Sequence, residues 1–268
     1  MLKDITLGQY FPGNSVIHRL DLRTKLIVLV VYMVTLFVAS GWVSYGVLLL
    51  FLLTVIKISA IPGKSIVRGM KPLVMILVFT GVLNLFFNKD GRVRGDCWGF
   101  PPTTGGAERA AFMLVRILML VTATFLLTYT TSPISLTDGL ESLMNPLKVI
   151  KVPVHELSMM MCIALRFIPT LIEETDKIMS AQKARGADFE SGNLIKKAKS
   201  LVPLLVPLFI SAFRRANDLA MAMEARCYRG GEHRTKMKPL IYRKRDWCAY
   251  GAVLVYLAVI VVFGKILF

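Results

Sequence analysis

Long apolar runs without a charged residue recur along the chain, and their lengths set the first reading. Leu26 to Ile56 is one such run, 31 residues long. As a single helix it would stretch roughly 46 Å at about 1.5 Å per residue, whereas a bilayer core is about 30 Å thick. Its centre reads Ser40-Gly41-Trp42, a turn signal with an interfacial aromatic. The pattern therefore predicts a helical hairpin of two short spans, with Arg23, Lys25 and Lys57 snorkelling at its base. Pro72 to Asn88 predicts one span. Ala110 to Thr137, whose single charge is Arg116, predicts another, and Cys248 to Gly264 a last one. The fold class expected is an all-α integral membrane protein with five transmembrane helices. Between the fourth and fifth lies a cytoplasmic module of long amphipathic helices.

Composition agrees. The chain is 55% hydrophobic and 19% charged, with a mean hydropathy of +0.60. A soluble domain carries about 25% charged residues. The formal net charge of +16 then reads as basic cytoplasmic loops facing anionic headgroups, and nucleic-acid binding is excluded. Ser132 to Trp247 holds 19 of the 33 Lys and Arg residues, which places it in the cytoplasm. Working outward, the loop Lys89 to Arg109 is outside, Lys57 to Lys71 inside, the N-terminus inside and the C-terminus outside. Three regions follow: 1–131 with the first four spans, 132–247 as the cytoplasmic module, and 248–268 as the last span. The polar, mixed-charge N-terminus does not read as a cleaved signal peptide. The outer loop, with Asp90-Gly91 and Pro101-Pro102, reads as a turn or short hairpin without chemistry.

The cytoplasmic module contains two helical stretches of one design. The first runs from about His155 to Arg185, with Leu157, Met161, Ala164, Ile168, Leu171 and Thr175 at helical spacing and Glu173 four residues before Lys177. The second runs from about Ser200 to Arg226, with Leu201, Leu205, Leu208, Ala212, Ala216 and Leu219 as its stripe. Its apolar start, LVPLLVPLFISAF, is too short to span and suits a helix on the membrane surface or against other helices. Both stretches end alike, at Ala184-Arg185-Gly186 and Ala225-Arg226-Cys227. An arginine in a last turn complements the helix dipole, and glycine after it is an ordinary cap. The repetition 41 residues apart favours a second role. Two helices, each presenting one guanidinium at its tip, suit a paired cytoplasmic partner, because the planar five-donor fork bridges carboxylates and carbonyls in a groove.

The stretches GNSVIHRLDLRTK, IALRFIPTLIEETDKIMSAQKARGADF and AMAMEARCYRGGEHRTK resemble the transmembrane T component of energy-coupling factor transporters, importers of vitamins and micronutrients of the ATP-binding-cassette class. The resemblance covers about Gly13 to Lys236. It implies a membrane scaffold that joins two cytoplasmic ABC-type ATPase subunits to a separate membrane-embedded, substrate-binding S component. It also implies that Ala184, Arg185 and Gly186, with Ala225, Arg226 and Cys227, are the motifs that enter grooves on the two ATPases. Cys227 stands where the family usually has glycine, which leaves the arginine role intact and argues against a need for a left-handed backbone there. Asp21-Leu22-Arg23-Thr24-Lys25 resembles the family's Asp-Pro-Arg-Thr-Lys run and reads as an interfacial cap on the first span.

The remaining candidates carry less. Cys97, Cys162, Cys227 and Cys248 are scattered, as are His18, His155 and His233, so neither a metal centre nor a disulfide framework is expected. Arg116 lies near the outer end of its span, where it snorkels or pairs with Glu108 or Asp96. Arg166 either holds the long helices together or reaches the headgroups. The methionines of Met159-Met160-Met161 serve an adaptable interface or plain packing. No Walker A loop, G-x-S-x-G, H-E-x-x-H or Rossmann glycine pattern occurs, so no catalysis and no cofactor are expected, and ATP is left to partner subunits. The alternatives are a secondary carrier and a membrane-embedded enzyme. The absence of Asp, Glu and His from the predicted spans counts against the first, and the absence of clustered Asp, Glu or His near a membrane face against the second.

Overall fold

A computed structural model describes residues 10–39, 41–87, 104–187, 189, 194–231, 237 and 239–266. Its regular elements are all helical: α1 (Leu22–Val38), α2 (Trp42–Ser59), α3 (Gly63–Met70), α4 (Val74–Phe87), α5 (Thr104–Thr130), α6 (Pro133–Met144), α7 (Val154–Ala184), α8 (Leu194–Ala225) and α9 (Lys244–Ile266). Among the described residues four stretches are long and apolar enough to cross a membrane: Trp42–Ser59, Gly63–Leu83, Ala110–Thr130 and Val154–Ala184. The chain divides into two compact units, one of residues 8–139 with 240–268, the other centred on 140–239.

In the first unit the long run does break where Gly41 stands, with φ +87° and ψ 154°, an extended positive-φ conformation that costs a side-chain-bearing residue about 1–3 kcal/mol. α1 and α2 lean on α5 and α9 around Leu36, Leu48, Met119, Tyr256 and Ile260. Tyr32 and Phe51 bridge α1 and α2, and Phe51 stacks in turn on Tyr256 with ring centroids 4.5 Å apart. Outward faces are as apolar as the core: Val34, Leu50, Met75, Phe79 and Leu254 are all exposed. A helix apolar on every side is a helix solvated by lipid. Pro72 sits in a short 3-10 turn that joins α3 to α4 rather than opening a span of its own. Tyr129, buried on α5, donates to the carbonyl of Ser65 at 3.2 Å. The outer loop with Asp90-Gly91 and Pro101-Pro102 lies outside the described residues.

The run Asp21 to Lys25 caps α1 as expected, and does more. Asp21 accepts from the backbone N–H of Arg23 at 3.0 Å and donates its own N–H to Asp246 Oδ1 at 2.8 Å. Asp246, buried at the start of α9, also accepts from the Arg243 N–H at 2.8 Å. Two helix N-termini are thus tied together. Lys25 does not snorkel. It is buried, and its Nζ donates to the carbonyls of Thr130 and His18 at 3.0 and 3.4 Å and to Thr131 Oγ1 at 3.4 Å. The physical reason is local: α5 ends at Thr130, and its last carbonyls lack intrahelical donors that an ammonium can supply. Arg23 turns toward the Leu240 carbonyl and the Tyr242 ring.

Arg116 is likewise satisfied inside the fold. Its Nε donates to the Tyr45 hydroxyl at 2.8 Å, and its guanidinium lies 5.5 Å from the Phe37 centroid and 5.8 Å from that of Tyr45. Asp96 and the Glu108 side chain, its expected partners, lie outside what is described.

Candidate functional site

In the second unit α7 and α8 pack against each other as an antiparallel pair. The chain leaving α8 returns to the start of α7, where Tyr228 Oη meets His155 Nε2 at 3.5 Å. A Cβ on Gly231 would run into the His155 ring. His155 Nδ1 contacts Glu141 Oε1 at 3.1 Å, and Ser158 Oγ donates to Glu141 Oε2 at 3.4 Å. This carboxylate–imidazole–phenol chain fastens the end of α8. The sequence hides its last link, because Tyr228 stands 73 residues beyond His155.

Both helices are interrupted by prolines, Pro169 in α7 and Pro203 and Pro207 in α8, and both continue through them. Their apolar stripes are only partly covered among the described residues. Leu157, Met161 and Ile168 on α7, and Leu201 and Leu205 on α8, are exposed, as are Phe209 and Phe213. The pair Glu173–Lys177, expected from spacing, is not formed. An exposed pair of that kind is worth only about 0.3–0.5 kcal/mol, and both side chains lie in solvent. Instead the neighbouring Glu174 pairs across the helices with Arg215 Nη2 at 3.1 Å.

The two tips fold into one backbone motif. At the end of α7 the N–H of Gly186 bonds to the Lys183 carbonyl and the N–H of Ala187 to the Gln182 carbonyl, each at 3.0 Å. At the end of α8 the N–H of Cys227 bonds to Glu224 at 2.8 Å and that of Tyr228 to Met223 at 3.0 Å. Each is a Schellman cap, with arginine at the C-cap and a left-handed residue after it. Gly186 has φ +86° and Cys227 φ +56°. The expectation that Cys227 frees this position from a left-handed backbone is therefore overturned. The two cap bonds close only if that residue turns left-handed, whatever its side chain.

Ala184, Arg185 and Gly186, and Ala225, Arg226 and Cys227, are all exposed. Among the described residues neither guanidinium has a hydrogen-bond or ion-pair partner. The caps are made by backbone alone, so neither guanidinium is used in closing them. The ion pair and the two arginines also share one spacing. Glu174 and Arg215 are 41 residues apart, as are Arg185 and Arg226, and each tip lies eleven residues beyond its member of the pair. Eleven helical residues rise about 16 Å. Because the helices are antiparallel, the tips extend from the ion pair in opposite directions. No group of three or more His, Cys, Asp or Glu gathers as a metal site among the described residues.

Comparison with known proteins agrees with the reading from sequence. The family model described as cobalt transport protein, CbiQ, matches residues 13–237. A protein of Thermosediminibacter oceani named energy-coupling factor transporter transmembrane protein EcfT is 57% identical over 94% of each chain. Proteins of the same name from Ruminiclostridium cellulolyticum and Bacillus subtilis are 50% and 45% identical, covering 100% of both chains in the first case and 97% and 98% in the second. The chain is therefore a multi-pass membrane protein that belongs to the CbiQ family, among the transmembrane components of energy-coupling factor transporters.

Proposed function

We propose that this chain is the non-catalytic scaffold of a vitamin or micronutrient importer of the cell membrane. It would couple two separate cytoplasmic ABC-type ATPase subunits to a membrane-embedded S component that binds the substrate. One observation carries the reading: two like caps, each presenting an exposed arginine, at opposite ends of one helix pair. A single partner molecule would have no use for two such tips, whereas two ATPases take one each. Closure of the ATPases on ATP then moves the tips, and the helix pair passes the motion to the S component. The exposed parts of the apolar stripes of α7 and α8 supply a surface for that component. ATP stays with the partners, since this sequence has no phosphate loop, and the chain itself holds no cofactor and performs no catalysis.

In this reading α1, α2, α4, α5 and α9 are the five spans, residues 132–247 form the cytoplasmic module, the N-terminus lies in the cytoplasm and the C-terminus outside. α7 is long enough to cross, but Glu173, Glu174, Asp176, Lys177 and Lys183 crowd its second half. Charged groups cost about 2.5–3.5 kcal/mol each at a bilayer centre, so α7 lies at the membrane surface instead.

Affinity purification of the tagged chain from membranes tests the proposal. Two ATPase chains and one small membrane protein are expected with it, and the chain alone is expected to show no ATP hydrolysis. Recovery without ATPases from chemically cross-linked membranes, or hydrolysis by the single subunit free of partners, would reject it.

A further inference from the structure

A cavity of about 520 Å³ lies among α1, α2, α5 and α9 in the first unit, within the range of about 300–1,000 Å³ of small-molecule sites. Its walls are aliphatic, including Val28 and Leu29 of α1, Val47 and Leu50 of α2, Leu126 of α5 and Val253 of α9. Among the described residues its charged lining residues are both cations, Lys25 and Arg245. Among the described residues neither cation pairs with a carboxylate. Lys25 spends its donors on two carbonyls and a hydroxyl, with the Asp21 carboxylate, one turn before it, acting on its charge. Arg245 is exposed at the mouth, next to Arg243 and Lys244. The far end is closed by the Tyr32–Phe51–Tyr256 stack.

The dimensions match one leaflet. On α9 the lining residues recur from Arg245 through Ala249 and Ala252 to Tyr256, a rise of about 16 Å. Half of a bilayer core about 30 Å thick is about 15 Å. The cavity opens sideways, since Leu50, Ile58 and Ala252 of its rim are exposed on the apolar outer face.

We infer that this cavity is a binding site for one anionic glycerophospholipid of the surrounding leaflet, with an acyl chain along the aliphatic trough and the headgroup phosphate on Arg245. Basic mouths between membrane helices select anionic headgroups, and a guanidinium meets a phosphate with two donors at once. Entry from the side suits a lipid diffusing in the bilayer better than a solute arriving from water. The inference depends on membrane insertion alone and is independent of how the ATPases dock.

Native mass spectrometry of the full chain in detergent, with phosphatidylglycerol, phosphatidylcholine or palmitate added at equal concentration, is the test. One phosphatidylglycerol per chain is expected to be retained, at least tenfold over phosphatidylcholine. Arg245→Gln, at an exposed position that leaves the core intact, should lower that retention about tenfold. Ala252→Trp, which fills the trough, should abolish it, and Lys199→Gln on α8 should change nothing. Equal retention of the two phospholipids, or undiminished retention in Arg245→Gln, would overturn the site. Stronger retention of palmitate than of phosphatidylglycerol would assign it to a free fatty acid and overturn the phospholipid assignment. The same measurement on the complex extracted from membranes should still find the lipid; its displacement there would assign the trough to a protein partner.

Discussion

Reversing the charge at either helix tip, Arg185→Glu or Arg226→Glu, should leave this chain folded and membrane-inserted while weakening its hold on the ATPases. The fold side of that estimate comes from the caps. Both are closed by backbone bonds of 2.8–3.0 Å, and neither guanidinium has an intrachain partner among the described residues. What folding loses is the charge–dipole contribution of a basic residue in a last turn, about 0.3–1 kcal/mol. The docking side is larger. Truncating one partner of a buried, hydrogen-bonded charge contact costs about 2–5 kcal/mol, and reversal adds repulsion. At about 1.4 kcal/mol per tenfold, each single variant should lose roughly thirtyfold to several-thousandfold in affinity. The double variant should lose more than either, because two linked contacts raise each other's effective concentration. Lys199→Glu, exposed on α8 and a member of neither cap, is the control for general charge effects. Quantitative pull-down of the ATPases from membranes, normalised to inserted chain, reads the difference. Wild-type ATPase recovery with the double variant, or equal losses in the double variant and the Lys199 control, would refute the assignment of the arginines as docking contacts.

Three further outcomes are expected. A cysteine-labelling scan should find positions 95–106 accessible from outside and a cysteine placed at Ser191 accessible only from the cytoplasm; external labelling of Ser191→Cys would invert the orientation. Gly139→Val should lower the melting temperature in detergent by an amount equivalent to about 1–3 kcal/mol, because its Cβ would run into the buried Leu22 side chain, and an unchanged melting temperature would contradict the packing. Cys227→Gly should strengthen the α8 cap: a left-handed residue with a side chain costs about 1–2 kcal/mol, offset by the roughly 0.5–1 kcal/mol of entropy that glycine loses on folding. Slower hydrogen exchange in the last turn of α8 would register that gain, and faster exchange would refute it.

Much of the architecture was legible in the sequence because lipid imposes one-dimensional rules. A charge-free run must be a helix of about bilayer length, so the break at Gly41 and the helices over the other apolar runs could be placed from residue order alone. The paired arginine motifs were legible for a similar reason. A Schellman cap is a local device, specified by a few consecutive residues, and its repetition 41 residues on is visible without a fold.

What the sequence could not supply are contacts between residues far apart in the chain. Lys25 looked like a snorkelling lysine until the end of α5 was found beside it with unsatisfied carbonyls. The acid that pairs across α7 and α8 is Glu174 and not its neighbour Glu173, since a helix face is chosen by what packs on it. His155 acquires Tyr228 only when the end of α8 returns to the start of α7. The left-handed turn at Cys227 follows from cap geometry, against the residue's own preference. Local order fixes which segments are helices and how they end. Only the tertiary packing decides which polar groups share a desolvated space, because burial makes each find a partner, and the partner it finds is set by proximity in three dimensions.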